Sequence, residues 1–293
     1  MNKFDFLNPE LRVLNYTHVD MDGVGSYIVL RNYYKKCDVQ LINYNQETKI
    51  TNYIEQNKGE FDVIIFSDFT PINLKTIKDY GYPVLVLDHH ESAKHFHNPD
   101  ENVFIDVLRS GTKLCYDFYK RSADLSKLEE LVEIINDYDL MLLKNNKSKF
   151  FNQLYWRYGF NWFADRFEHG KIELYQEEKD FLVRHSNEFK EFFSKLEVSD
   201  LDNNGVFVST SKFLGDLDIK LRELGYQYMI IYRGDKYSIR ANNDKINLVE
   251  VCKTLGKGGG HKQAVGVFYK FDEEFIRNIV SLISGQLNAN TDN

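Results

Sequence analysis

The chain is poor in cysteine and has no long apolar run. Its three cysteines, Cys37, Cys115 and Cys252, are odd in number and far apart. No CxxC pair marks a structural zinc, so reduced thiols in a cytoplasmic protein are the expectation. No apolar stretch approaches the ~20 residues of a membrane span, and no membrane partner is expected. The opening residues, MNKFDFLNPE, lack an apolar signal core, so nothing argues for export. No GxxxxGK[ST] spacing is present, so a Walker loop is excluded. There is no internal repeat, and low complexity is confined to the polar tail Asn288–Asn293. A net charge of −7 argues against a protein that grips long duplexes through its general field. Small anionic substrates remain open, because bound metals and local basic residues can reverse the sign inside a site. The chain is otherwise ordinary for a globular protein: 293 residues, 43% hydrophobic and 15% aromatic, with room for two cores.

Against that background, acidic residues stand directly behind short apolar runs. Asp88-His89-His90 follows Val84–Leu87. His18-Val19-Asp20-Met21-Asp22-Gly23 follows Val13-Leu14, and Asp68 follows Val63–Phe66. Short apolar runs bounded by polar residues read as buried strands. Ligands of open parallel sheets gather outside the carboxyl ends of the strands. Three strand ends thus deliver His18, Asp20, Asp22, Asp68, Asp88 and His89 to one edge. A lone aspartate at a strand end is usually a cap or turn residue, but three in order are harder to explain that way. Carboxylates so close repel unless divalent metal intervenes, and imidazole with carboxylate suits manganese, iron or zinc better than calcium.

The first half alternates strands (11–15, 38–43, 62–66, 84–87, 103–105) with helices (25–34, 48–56, 72–79), which predicts a parallel sheet with helices on both faces. Ser110-Gly111-Thr112 reads as a helix cap, and Ser126–Leu143 as a further helix. The aromatic-rich segment 150–167 reads as core or interdomain packing, with a base-stacking surface as the alternative. Ile172–Leu196 reads as a connecting helix. A second β-and-α pattern begins at Val206, with a hairpin expected around Gly234-Asp235. Gly258-Gly259-Gly260-His261-Lys262 reads as a loop whose amides can bind an anion, with a flexible turn as the alternative and Arg240 expected on a strand beside it.

Together these residues resemble the DHH family of phosphoesterases, in the subgroup with a C-terminal DHH-associated domain. The resemblance runs over nearly the whole chain. Its motifs are His18–Gly23, Asp68, Asp88-His89-His90, Asp137-Tyr138-Asp139, Ser238-Ile239-Arg240 and Gly258–His261. Within the family the context is most like the nanoRNase B type of oligoribonuclease. The resemblance implies an α/β fold: a parallel-sheet DHH catalytic domain over 1–170, a connecting helix over 171–199, and a smaller α/β substrate-binding domain over 200–293. The active site would lie in the cleft between the domains. Two manganese ions per site are implied, with magnesium or another divalent ion as the alternative. His18 and Asp20 would hold one ion, Asp22, His89 and Asp139 the other, and Asp68 would bridge. Asp88 would either ligate or orient His90, and Asp137 competes with Asp139. Arg240, Gly258, Gly259, Gly260 and His261 would bind substrate. His90 would hydrogen-bond the phosphate or assist the leaving group.

The implied activity is exonucleolytic hydrolysis of short single-stranded oligonucleotides, preferring RNA, to mononucleotides by a metal-activated water. The alternatives are a phosphodiesterase of linear or cyclic dinucleotides, a 3′-phosphoadenosine-5′-phosphate phosphatase, and a RecJ-like single-strand DNA exonuclease. A regulatory protein with a vestigial metal site is disfavoured by the intact ligand set. A homodimer is left open.

Overall fold

The structure, a computed structural model, describes residues 5–43 and 46–289. Most of the tail Asn288–Asn293 therefore lies outside the described residues. The chain separates into two compact units, one ending at Leu182 and the other beginning at Val183.

The first unit is built on five strands: β1 (Arg12–Thr17), β2 (Lys36–Leu41), β3 (Val63–Ser67), β4 (Val84–Asp88) and β5 (Val103–Ile105). They pair parallel throughout in the order β2-β1-β3-β4-β5. Strands β3 and β4 are continuous apolar runs because both sheet faces are covered, as parallel sheets require. Side chains alternate between the faces. Val13, Val63, Ile65, Leu85 and Leu87 meet α1 (Met21–Tyr33), α4 (Gly111–Tyr119) and α5 (Glu129–Asp139). Leu14, Tyr16, Ile64, Phe66, Val84 and Val86 meet α2 (Glu47–Gln56) and α3 (Leu74–Lys78). The chain leaves β1 toward one edge and returns to place β3 on its other side. This reversal between β1 and β3 is the switch point at which open α/β sheets bind ligands.

The aromatic-rich segment forms α6 (Ser148–Tyr158) and α7 (Phe160–Phe167). Phe151, Tyr155, Phe160, Phe163 and Phe167 are buried in the first core, while Trp156 stays exposed. Most of the segment is therefore packing.

Strand bounds shift by a residue or two, and three of the expected helices differ in extent. The first helix begins at Met21 and not at Gly25, because the Asp20 carboxylate caps it by accepting from the Gly23 amide at 2.9 Å. The helix expected to reach Leu143 ends at Asp139. There the Asp137 carboxylate accepts from the amides of Lys144 and Asn145, and Met141 and Leu143 turn through left-handed backbone. The connecting helix is the shorter α8 (Gln176–Ser194). Its Leu182 is buried with the first core and its Phe189 with a core of the second unit.

The second unit is a mixed sheet in the order β10-β11-β9-β8-β7-β6, formed by β6 (Ser199–Asp200), β7 (Gly205–Ser209), β8 (Tyr228–Tyr232), β9 (Lys236–Ala241), β10 (Gly259–His261) and β11 (Ala264–Phe268). Helix α9 (Leu214–Glu223) covers one face; α10 (Leu248–Leu255) and α11 (Glu273–Asn288) cover the other. The hairpin around Gly234-Asp235 joins β8 and β9 as expected.

Candidate metal centre

The carboxyl ends of β1, β3 and β4 each release a polar side chain at the same level, because parallel register aligns them: Thr17 with Ser67, and Ser67 with Leu87. His18 and Asp20 follow β1, Asp68 follows β3, and Asp88 ends β4. Asp22 sits in the first turn of α1, and Asp139 is the last residue of α5. The side chains gather into sets whose donor atoms lie within 4.8 Å of one another: His18 with Asp20 and Asp68, and Asp22 with His89 and Asp139. Asp68 joins the sets, with its Oδ1 3.1 Å from His89 Nε2. His89 Nε2 is also 3.4 Å from Asp22 Oδ2 and 3.5 Å from Asp139 Oδ2.

Each donor is held by local structure. Asp20 Oδ2 lies 3.1 Å from His18 Nδ1, while its Oδ1 caps α1. Asp22 is cradled by the start of α4, where the Gly111 and Thr112 amides donate to its two oxygens at 2.6 and 2.9 Å. These are helix N-terminal amides without intrahelical partners, directed at a carboxylate. Asp68 takes a left-handed backbone, φ 55°, which for a residue other than glycine is a strained placement met chiefly at functional sites. Asp137 is spent on the loop after α5, whereas Asp139 faces His89.

The electrostatics are those of a cation site. Burial, followed by the negative charges of Asp22, Asp20, Asp139 and Asp88, pushes the Asp68 carboxyl well above the usual carboxylate range. Burial, then Asp22 and Asp20, does the same to Asp139. For Asp20 burial also acts upward but is outweighed by His18 and the Gly23 amide, so its carboxyl lies below the usual range. Asp68 Oδ2 and Asp139 Oδ2 are buried and accept no hydrogen bond. Buried carboxylate oxygens without donors are costly unless a cation compensates. The residues therefore fit divalent metal: imidazole and carboxylate donors, with two buried oxygens unsatisfied by protein.

In the second unit, Arg240 pairs across β9–β11 with Ala264, which pairs across β11–β10 with His261, so Arg240 and His261 share one face of the sheet. The Arg240 guanidinium lies 3.6 Å from the buried carboxylate of Asp218, which also accepts from Arg222 at 2.6 Å. Part of the expected glycine-rich loop is instead strand: Gly259–His261 is β10. Gly260 (φ 141°) stands where any side chain would strike the carbonyl of Ala264, so it serves the tight hairpin with β11.

Some partners of the centre were not foreseen. The cap-like Ser110-Gly111-Thr112 was a legible helix start, but the carboxylate that its free amides would meet was not. Thr70, which donates to Asp88 at 2.6 Å, carried no signal.

Fold and donor set together place a cluster fit for divalent metal at the switch point of a parallel α/β sheet. Residues 12–143 match the DHH family, N-terminal domain, and this part of the chain is a DHH-family domain. A 3′,5′-cyclic-nucleotide phosphodiesterase of Helicobacter pylori is 27% identical over 153 residues, covering 44% of this chain and 44% of that protein. Among solved structures, manganese-bound RecJ of Thermus thermophilus has a TM-score of 0.58 at 16% identity, covering 95% of this chain and 53% of that one. A pGpG-specific phosphodiesterase of Vibrio cholerae has a TM-score of 0.55 at 15% identity, covering 94% and 99%. These likenesses carry the fold. No helix among the described residues is long and apolar enough to cross a membrane.

Proposed function

We propose that the protein is a divalent-metal-dependent phosphodiesterase that hydrolyses short oligonucleotides, down to dinucleotides and preferring RNA, to mononucleotides. The observation that carries this reading is the pair of histidine–carboxylate sets meeting at Asp68, with two buried carboxylate oxygens left for a cation. The DHH-family match, and the phosphodiesters named for the two phosphodiesterase relatives, support the reaction class. His18 and Asp20 would hold one ion and Asp22, His89 and Asp139 the other, with Asp68 available to both sets. Manganese is the expected ion, with magnesium as the alternative. Bound there, a pair of ions would supply an activated water and neutralise the attacked phosphate. His90 lies beside them to hydrogen-bond a phosphate or leaving-group oxygen. Arg240 and His261 hold a second phosphate of the substrate by charge-assisted contacts. Residues from Val183 onward then act in substrate capture, and those before in chemistry.

The H. pylori relative favours one second reading, a phosphodiesterase confined to cyclic nucleotides. A single manganese-supplemented assay separates the two. It compares 2-mer, 5-mer and 24-mer RNA and DNA with cyclic dinucleotides, cyclic mononucleotides and 3′-phosphoadenosine-5′-phosphate. The chain's charge of −7 gives long strands little general attraction. The expected result is a kcat/KM that falls steeply between 5-mer and 24-mer. Equal efficiency at both lengths points to a processive exonuclease, and activity on cyclic substrates alone overturns the oligonucleotide reading. In the same assay Arg240→Ala should lower kcat/KM about ten- to a hundred-fold, chiefly through KM, because one charge-assisted contact to bound substrate is lost. An unchanged KM would remove Arg240 from the binding role.

A further inference from the structure

Asp88 is the first residue of the Asp88-His89-His90 motif, and both its oxygens already accept from protein donors. Its Oδ1 accepts from the His89 amide at 2.7 Å, the His90 amide at 3.3 Å and His90 Nδ1 at 2.7 Å. Its Oδ2 accepts from the Thr70 hydroxyl at 2.6 Å. Asp88 and His90 are both buried. An ionised carboxylate only accepts, so the proton in the His90 contact belongs to Nδ1, and Nε2 is the nitrogen turned away from Asp88. Asp88 is thus the side chain that orients His90, and its oxygens are spent on protein donors, in contrast to Asp68 Oδ2 and Asp139 Oδ2.

Thr70 reaches Asp88 through the chain geometry after β3. Ser67 is paired with Leu87, so the residues that follow β3 lie level with Asp88. The left-handed turn at Asp68 redirects the chain, Phe69 is buried, and Pro71 restrains the Thr70 backbone to extended conformations. A hydroxyl has a single proton to donate, and that of Thr70 goes to Asp88 Oδ2. Thr70 is therefore not a hydrogen-bond donor to substrate.

We propose that Thr70 is a positioning residue: by anchoring Asp88 it holds the imidazole of His90 in one tautomer and one orientation, with Nε2 presented to the reacting phosphate. The presentation to phosphate rests on the function proposed above; the relay from Thr70 through Asp88 to His90 does not. Removing the Thr70 hydroxyl leaves a buried carboxylate oxygen without its donor. The Asp88 carboxylate is then free to pivot, and the Nδ1 contact of His90 loosens with it. Outer partners of this kind typically change activity or metal affinity about 10–100-fold.

The test uses the full chain with ¹⁵N-labelled histidine, as wild type, Thr70→Val, Thr70→Ser and Asp88→Asn. In the metal-free protein the His90 Nδ1–H proton should give a protected NMR signal. This signal should exchange faster in Thr70→Val, return in Thr70→Ser and disappear in Asp88→Asn. With metal and the best substrate, Thr70→Val should lower kcat about 10–100-fold with little change in KM, and Thr70→Ser should recover most of it. An unaltered Nδ1–H signal together with an unaltered kcat in Thr70→Val overturns the proposal, as does a Thr70→Ser variant as impaired as Thr70→Val. If Thr70→Val does not fold, Thr70→Ala, which also lacks the hydroxyl, decides against Thr70→Ser by the same NMR signal. A wild type that hydrolyses none of the substrates defeats the proposed function, while the metal-free NMR series still decides the relay.

Discussion

Asp68→Asn should abolish turnover and yet raise the melting temperature of the metal-free protein at neutral pH. Asp68 is buried among Asp22, Asp20, Asp139 and Asp88, and burial followed by those charges lifts its carboxyl well above the usual range. A carboxyl raised in the folded state favours folding fully only below its unfolded value of about 3.9, and that contribution is lost as pH climbs through the folded value. At neutral pH the metal-free fold must therefore either bury this charge or take up a proton, and the unfolded chain bears neither cost. Asparagine keeps the size and cannot ionise. Each kcal/mol so relieved is about 2–4 °C in a protein of this size, and the gain over wild type should shrink toward pH 4. Divalent metal reverses the order. A site filled at a hundredfold excess over Kd adds about 2.7 kcal/mol to the wild type, and Asp68→Asn should recover far less of it. Calorimetry with chelator and with manganese, beside a hydrolysis assay, reads both effects. Full turnover in Asp68→Asn, or in chelator-treated wild type, would remove the metal reading. A metal-free variant less stable than wild type would mean that the contact with His89 outweighs the repulsion.

The parallel sheet of the first unit was legible because β3 and β4 are unbroken apolar runs, each ending at an acidic residue, and such runs in alternation with amphipathic helices leave few topologies. The gathering of His18, Asp20, Asp22, Asp68 and His89 followed from strand ends alone. What spacing could not supply were contacts made through register and backbone shape. Thr70 meets Asp88 only because β3 and β4 pair with Ser67 beside Leu87 and the chain then turns at Asp68. The end of α5 was hidden for a different reason. Leu140, Met141, Leu142 and Leu143 continue its apolar pattern, and the stop comes from the Asp137 carboxylate capturing two loop amides. The same contact separates Asp137, which is structural, from Asp139, which faces His89. The triple glycine misled in the opposite direction: it has the composition of a flexible loop, but it is used so that β10 and β11 can approach closely.

Gly111→Ala should be nearly as damaging as loss of a ligand, although glycine carries no functional group. The first turn of α4 lies against the centre so closely that a Cβ at this position would come within 2.6 Å of the Asp68 Cβ and 3.0 Å of Asp22 Oδ2. Neither neighbour can yield cheaply. Asp68 is buried and fixed by its left-handed backbone, and Asp22 is held by the Gly111 and Thr112 amides while the Thr112 hydroxyl donates to its carbonyl at 2.7 Å. The added methyl must therefore push the start of α4 away, and the 2.6 Å bond from the Gly111 amide to Asp22 is lost with it. Both donor sets are disturbed at once, because Asp68 belongs to one and Asp22 to the other. A misplacement of about 1 Å at a catalytic centre can cost ~10²-fold, so kcat should drop by about that factor or more. The rest of α4 packs far from the methyl, with Leu114, Cys115 and Tyr119 in the first core, so the far-ultraviolet circular dichroism should stay native. Metal titration should show weaker binding than wild type, which separates a distorted centre from a global loss of fold. Gly111→Ala with wild-type metal affinity and kcat would mean that α4 yields freely, and that its amides do not set the position of Asp22.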